Sequence, residues 1–399
     1  MPVAGFGPRL AAFLQRGLRT VTPLARGALA AAVVAGVAWA LFGWQELGAA
    51  ALVLLIALLL AVVFVLGRPA YRVEVAVASA RVVVGEQAVG ELRIHSAGSR
   101  PSGAGLVELP VGHATASFAV PRLAPGAEHD ELFTIPTQRR AVLTLGPVRS
   151  VRQDPLGLLR RQLDWTRPEP IFVHPRTVRL ANDSTGLLRD LEGLTTREIS
   201  NDDVAFHALR SYEPGDDLRR VHWRSTARTN QLMIRQFEET RRAQLVIVVS
   251  TNPADYADDE ELELGISIAA SLAVSAVLDG KEAAVVASDT VIAAGPPARM
   301  LDAFSALEPA ATAEPFADRA RVVAADLPGA SVVALITGSV TPPPQLRLAA
   351  LRLPPTAHSF AVRAAAAEEL GRQAIGELSI ATVPALRDLA LAVRVVTAV

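Results

Sequence analysis

The chain has 399 residues, with 39 Lys and Arg against 40 Asp and Glu and a net charge of −1 at neutral pH. That balance gives no global attraction to nucleic acid or to an acidic ligand. There is no cysteine, which excludes a disulfide framework, a zinc ribbon and thiol catalysis together.

The length allows two or three domains, each with its own core. Apolar residues make up 51% of the chain, and the mean hydropathy of +0.32 is traced first to the N-terminus. Residues 1–26 are basic. Between Arg26 and Arg68 the only charge is Glu46, which divides two apolar runs, residues 27–45 and 47–67. Each is near the ~20 residues that cross a bilayer, so residues 27–67 are predicted to form a transmembrane hairpin. A cleaved signal peptide has a shorter apolar core, and no second run follows it at once. Trp39 and Trp44 fall near the end of the first run, as interfacial aromatics do. Arg9, Arg16, Arg19 and Arg26 precede the hairpin, and Arg68 and Arg72 follow it. The positive-inside rule then predicts a multi-pass protein of the cell membrane with both termini in the cytoplasm.

Residues 70–175 change to a period of two, Val73, Val75 and Val77 alternating with Arg72, Glu74 and Ala76. Residues 82–84, 91–94, 117–120, 132–135 and 141–145 are further short β segments, separated by Gly, Pro and Ser. This pattern predicts a β-sandwich-like module. Residues 101–105 (PSGAG) read as a mobile loop. Residues 146–161 have a turn at Asp154-Pro155 followed by an apolar Leu-Gly-Leu-Leu patch, and read as a strand and turn that end the module, with a binding site as the other reading. The Pro-punctuated residues 167–175 read as an extended connection.

Residues 176–242 form a connecting region, and its last part, 207–242, crowds Arg, Asp, His, Trp and Tyr together. Pro214-Gly215 demands a turn, and Asp216 or Asp217 can cap a helix running to about Ala227. On that helix Val221, Trp223 (or His222) and Ala227 face the core, and Arg219, Arg220, Arg224 and Arg228 face water. Leu232, Ile234 and Phe237 then alternate as in a strand, with Arg235 and Glu238 between them.

Several chemistries compete here. Asp216, Asp217 and His222 are of the right types to hold a divalent cation. The arginines suit bidentate oxyanion contacts. Yet Glu213, Asp216, Asp217, Glu238 and Glu239 lie among them, which favours an internal Arg–carboxylate network over nucleic acid. A docking surface for a partner is the other reading. No Ser-His-Asp spacing, Walker motif or GxGxxG fingerprint is present.

In residues 243–399 a continuous apolar run at 245–249 reads as a buried parallel strand. Helical periodicity follows at 260–278, a strand at 282–287, a helix at 298–307 and a strand at 331–337. A helix at 344–351, a strand at 359–362 and a last helix near 384–396 complete the alternation. This predicts an α/β doubly wound sheet.

The arrangement Arg210-x-Tyr212-x-Pro214-Gly215-Asp216-Asp217-x-Arg219-x-x-His222-Trp223, then Ala227-Arg228, Leu232 and Arg235-x-Phe237-Glu238, resembles the hallmark of the domain-of-unknown-function 58 family. Residues 139–161 (RRAVLTLGPVRSVRQDPLGLLRR) resemble a second element of that family, and the membrane hairpin also fits. The resemblance implies a bacterial membrane-anchored protein with a von Willebrand factor A-like domain, encoded beside a MoxR-type AAA+ ATPase as partner. No reaction is established for the family, so it implies no catalytic residue. The metal site of a von Willebrand A-like domain begins Asp-x-Ser-x-Ser, whereas here the strand is followed by Ser250-Thr251-Asn252-Pro253-Ala254-Asp255. The site near Ser250 and Asn252 is therefore expected to be degenerate, with Asp255, Asp258 or Asp289 as candidate substitutes for the missing carboxylate, and no cofactor is expected. The functional expectation is a membrane-anchored, cytoplasm-facing adaptor or assembly factor. The alternative is a metal-dependent hydrolase using Asp216, Asp217 and His222.

Overall fold

A computed structural model describes residues 20–65, 71–180, 199–200, 205–213, 216–238, 244–287, 290–311, 316–327 and 329–397. The chain divides into two compact units, Met1–Val173 and His174–Val399. Arg9, Arg16, Arg19, Arg68, Asp289, Pro214 and Gly215, all named above, lie outside the described residues.

The first unit opens with two helices, α1 (Pro23–Phe42) and α2 (Gln45–Val65), both long and apolar enough to cross a membrane. Thr22 caps α1 by accepting the Ala25 N–H, and Pro23 sits at the first helical position, where no N–H is needed. Gly43 ends the helix in the left-handed region, φ 72°, donating to Trp39 O. Most of the surface of both helices is apolar and exposed, from Leu24 to Phe64. Such a surface suits burial in a bilayer.

Ten strands follow: β1 (Tyr71–Val77), β2 (Arg81–Val83), β3 (Ala88–Ser96), β4 (Gly105–Val111), β5 (Ala114–Val120), β6 (Glu128–Ile135), β7 (Ala141–Leu145), β8 (Arg149–Gln153), β9 (Arg160–Asp164) and β10 (Glu169–His174). They form one sheet of order β1-β3-β6 and a second of order β2-β10-β7-β4-β8-β9, with β5 on β4. The alternation seen in the sequence places Leu92, Ile94 and Phe133 of the first sheet against Leu109, Leu145 and Ile171 of the second, in one core. The close fit explains a glycine: Gly90 lies opposite Phe133 in register, and a Cβ on it would collide with the phenyl ring. Residues 101–104 are loop, with Ser102 in an isolated bridge to Leu123, and Gly105 begins β4. One sequence expectation needs correction. Residues 167–175 are not a connection, because β10 pairs with β7 from Glu169 to Val173. Prolines at 168, 170 and 175 hid a strand whose Ile171 and Val173 are fully buried.

The second unit begins with an extended segment that belongs to its core. His174 Nε2 lies 2.8 Å from Asp302 Oδ1, and the Val178 and Leu180 N–H groups donate to Ser271 and Ser275. A small sheet then forms from β11 (Ile199–Ser200), β12 (Ala205–Ser211) and β13 (Met233–Glu238), in the order β11-β13-β12. Between β12 and β13 lies helix α3 (Trp223–Thr229).

The remaining elements are β14 (Gln244–Val249), α4 (Asp259–Leu278), β15 (Glu282–Ala287), β16 (Thr290–Ile292), α5 (Pro297–Ser305), α6 (Phe316–Asp326), β17 (Ala330–Gly338), α7 (Pro343–Ala350), β18 (His358–Ala364), β19 (Gly371–Ile375), β20 (Leu378–Val383) and α8 (Leu389–Thr397). They build a mixed seven-stranded sheet of order β16-β15-β14-β17-β18-β20-β19. Its five inner strands are parallel and its two edge strands antiparallel. One face packs on α4, α5 and α8, the other on α6 and α7. Helix α4 has the length and apolarity of a membrane span, but most of it is buried on the sheet, with Ile266, Ala269 and Ala273 inaccessible. The edge strands β16 and β19, strand β20 and helix α6 were not expected. The helix expected at 384–396 is a short 3-10 turn, Leu386–Asp388, followed by α8.

Candidate interaction site

The motif folds as a β-hairpin with a helical insertion. Strands β12 and β13 pair antiparallel, Arg210 opposite Ile234 and Leu209 opposite Arg235. At the end of β12, Arg210 Nη1 and Nη2 donate to Asp216 Oδ2 and Oδ1 at 2.7 and 2.6 Å, a bidentate pair. Asp216 also accepts the Glu213 N–H at 2.9 Å. The Arg210 hydrogen bonds and the Glu213 N–H hold the Asp216 carboxyl below the usual carboxylate range, and the same bond raises Arg210 above its ordinary value. Tyr212 N–H closes the loop on Leu232 O at 2.8 Å.

The helix expected from Asp216 to Ala227 is two pieces. Asp217 caps only a 3-10 turn, Leu218–Arg220, through the Arg219 N–H. Val221 then makes a β-bridge to Ile234, which interrupts helical geometry. His222 restarts it: its N–H donates to Met233 O, and its Nδ1 accepts the Ser225 N–H as the cap of α3. The restart changes which residues face inward. Val221 is buried, as expected, but Trp223 is 69% exposed and Ala227 is exposed too. Leu232 lies before β13 and is exposed, while Ile234 is buried. No residue of α3 is buried.

The three candidate metal ligands therefore each have a local duty. Asp216 pairs with Arg210, Asp217 caps the 3-10 turn, and His222 caps α3. Among the described residues no group of three or more His, Asp or Glu side chains is arranged to hold a metal. Left facing outward are Leu218 (59% exposed) and Trp223, with exposed Arg219, Arg224, Arg228 and Arg235. An aromatic anchor among guanidinium groups is a surface suited to binding a partner.

At the C-terminal ends of β14 and β17, the usual ligand position of a parallel sheet, the polar residues are engaged with one another. Ser250 Oγ donates to Asp255 Oδ2, and the Tyr256 hydroxyl donates to Ser250 O at 2.6 Å. Burial pushes the Tyr256 phenol far above its ordinary value, with the Asp255 charge adding to the effect. Asn252 caps the 3-10 turn Pro253–Asp255 through the Ala254 N–H, and Asp258 caps α4 through Glu261 N–H. The guanidinium of Arg319, 2% exposed, has Nη1 3.4 Å from both Val249 O and Ser250 Oγ. This donor set does not fit a divalent ion: the nearest carboxylate is engaged by Ser250, and a guanidinium stands beside the hydroxyl a metal would use. Gly338 completes the cluster, since a Cβ there would collide with the backbone of Asp255 and Tyr256.

Residues 208–340, from inside β12 to just beyond β17, match the family described as "Protein of unknown function DUF58". The "Uncharacterized protein YeaD" of Bacillus subtilis (strain 168) is 26% identical over 135 residues, 33% of this chain and 32% of that protein. The chain thus spans about a third of that relative (32%). Among solved structures, the CARDB domain of the PF1109 protein from Pyrococcus furiosus is 13% identical, covering 26% of this chain and 89% of that one, with a TM-score of 0.20. The sporulation control protein Spo0M from Bacillus subtilis is 16% identical, covering 37% and 59%, with a TM-score of 0.18. At such TM-scores neither carries an argument about this chain.

Proposed function

We propose that the protein is a membrane-anchored adaptor or assembly factor whose motif face docks a MoxR-type AAA+ ATPase. The observation that carries this reading is Trp223. It stands 69% exposed on a helix with no buried residue, while the Arg210–Asp216 pair and the Asp217 and His222 caps hold the hairpin in shape. Such a helix buries no side chain fully, and tryptophan and arginine are the side chains that anchor protein interfaces. In this reading both termini lie in the cytoplasm, and the unit His174–Val399 is a von Willebrand factor A-like domain. A mixed sheet with five parallel inner strands and helices on both faces supports that assignment. The choice of ATPase comes from the family resemblance of the motif.

Binding of the full chain in lipid nanodiscs to the MoxR-type ATPase of its own organism tests the reading. Trp223→Ala is expected to weaken binding at least about tenfold, the effect of removing an interface anchor. The melting temperature should scarcely move, because an exposed side chain changes stability within about 0.5 kcal/mol. Wild-type affinity in the variant, or a wild type that does not bind, contradicts the reading.

A further inference from the structure

The Asp154–Leu159 turn, singled out in the sequence, is absorbed by none of the above. Within the first unit it sits at the foot of the helical hairpin. Val21 makes a β-bridge to Leu159, and Thr22 N–H donates to Leu158 O at 3.2 Å. The Thr22 hydroxyl lies 2.9 Å from Gly157 O and 2.8 Å from Leu158 O, its one proton shared between them. Leu158 is buried against Ala25 of α1 and Ala61 of α2.

Those contacts fix the depth of the turn. Ala25 is the third residue of α1, and Ala61 lies four residues before the end of α2. At 1.5 Å per residue, Leu158 therefore packs about 3 to 6 Å inside the helix ends. If the hairpin spans the bilayer, that level is the boundary between headgroups and acyl chains. Beside Leu158, Leu156 points away from the protein at 62% exposure, and Leu24 on the first turn of α1 is 59% exposed. Exposed Arg26 stands on the same turn of α1, with a length and charge suited to reach the headgroups.

We propose that the Asp154–Leu159 turn is a membrane-contacting foot: Leu156 enters the headgroup–acyl boundary of the bilayer that holds the hairpin, and the β module is thereby fixed against that surface. The occupant follows from continuity, since Leu158 of the same turn packs on Ala25 and Ala61 of the two helices whose exposed apolar surface a spanning hairpin turns to lipid. The proposal rests on the reading of the hairpin as membrane-spanning.

Because the chain has no cysteine, single-cysteine variants can be labelled with a fluorophore without background. Leu156→Cys, Leu55→Cys at the centre of α2 and Leu132→Cys, 70% exposed on the β1-β3-β6 sheet, would be placed in phosphatidylcholine–phosphatidylglycerol proteoliposomes. The vesicles carry nitroxide lipids labelled at shallow or deep acyl positions. The proposal expects Leu156→Cys to be quenched severalfold more by the shallow label than Leu132→Cys, and to be shielded from aqueous iodide. Leu55→Cys should respond to the deep label. A quenched Leu55→Cys with a water-exposed Leu156→Cys overturns the foot and leaves the hairpin standing. An unquenched Leu55→Cys removes the hairpin reading and the foot together.

Discussion

Glu261→Ala is expected to destabilise the His174–Val399 unit by about 3 kcal/mol. The carboxylate is 3% exposed and joins two loops. Ser339 donates to it through both N–H and Oγ, the latter at 3.0 Å, and the Ala257 N–H donates at 3.3 Å. The segments it joins are the turn before α4 and the loop after β17, at the end of the sheet where Ser250, Tyr256 and Gly338 meet. Alanine removes the charged acceptor of three partly buried hydrogen bonds, and a hydrogen bond to a charged group contributes about 1.5–3 kcal/mol. For a unit of this size the melting temperature should fall by about 6–12 °C. Calorimetry of the detergent-solubilised chain checks this. Glu261→Gln keeps one acceptor oxygen and should lose less. A fall under about 2 °C for the alanine variant would mean the loops are held by other contacts.

Asp154→Ala is the second large effect. Its side chain is 3% exposed, and Oδ1 and Oδ2 accept the N–H groups of Leu159 and Leu156 at 2.6 and 2.9 Å. Burial alone would raise this carboxyl, but the N–H groups of Leu159, Leu158 and Leu156 outweigh it and hold the group below the usual range. A depressed folded-state pKa stabilises in full above the unfolded value of about 4, and that contribution disappears as pH falls through the folded value. Asp154→Ala should therefore cost about 2–3 kcal/mol at pH 7, and its difference from wild type should shrink on acidification below about pH 4. Urea unfolding followed through Trp165, with Trp39, Trp44 and Trp223 replaced by Phe, reports on this unit. A difference that stays constant from pH 7 to pH 3 would assign the loss to packing and not to the carboxylate.

Where a single physical signal dominates, these elements were legible from the residues. Two uncharged runs of membrane-crossing length became most of α1 and α2, which also take in Arg26 and Glu46. Strict alternation at Val73, Val75 and Val77 became β1, and the apolar run at Leu245–Val249 became the centre of the second sheet. The elements that escaped are those whose local signal is mixed. Strand β10 is bracketed by prolines, helix α6 carries buried Arg319 on its core face, and β19 is an edge strand with four exposed residues in succession.

At the motif, the residues were identified but their facing was not. One continuous helix from Asp216 places Trp223 inward. The β-bridge of Val221 to Ile234 and the cap at His222 reset the helical phase, and a bridge thirteen residues apart in sequence leaves no local trace. The role of Leu158 was hidden for the same reason, because its partners Ala25 and Ala61 lie far upstream in the sequence.

The claim that the motif presents a docking face is tested most directly by hydrogen–deuterium exchange of the full chain in nanodiscs, with and without the ATPase. The account predicts slowed exchange centred on residues 218–232, where Leu218, Trp223 and Leu232 are exposed, and little change at the Ser250–Tyr256 cluster. Protection confined to other surfaces, with residues 218–232 exchanging as fast as in the free protein, would contradict it.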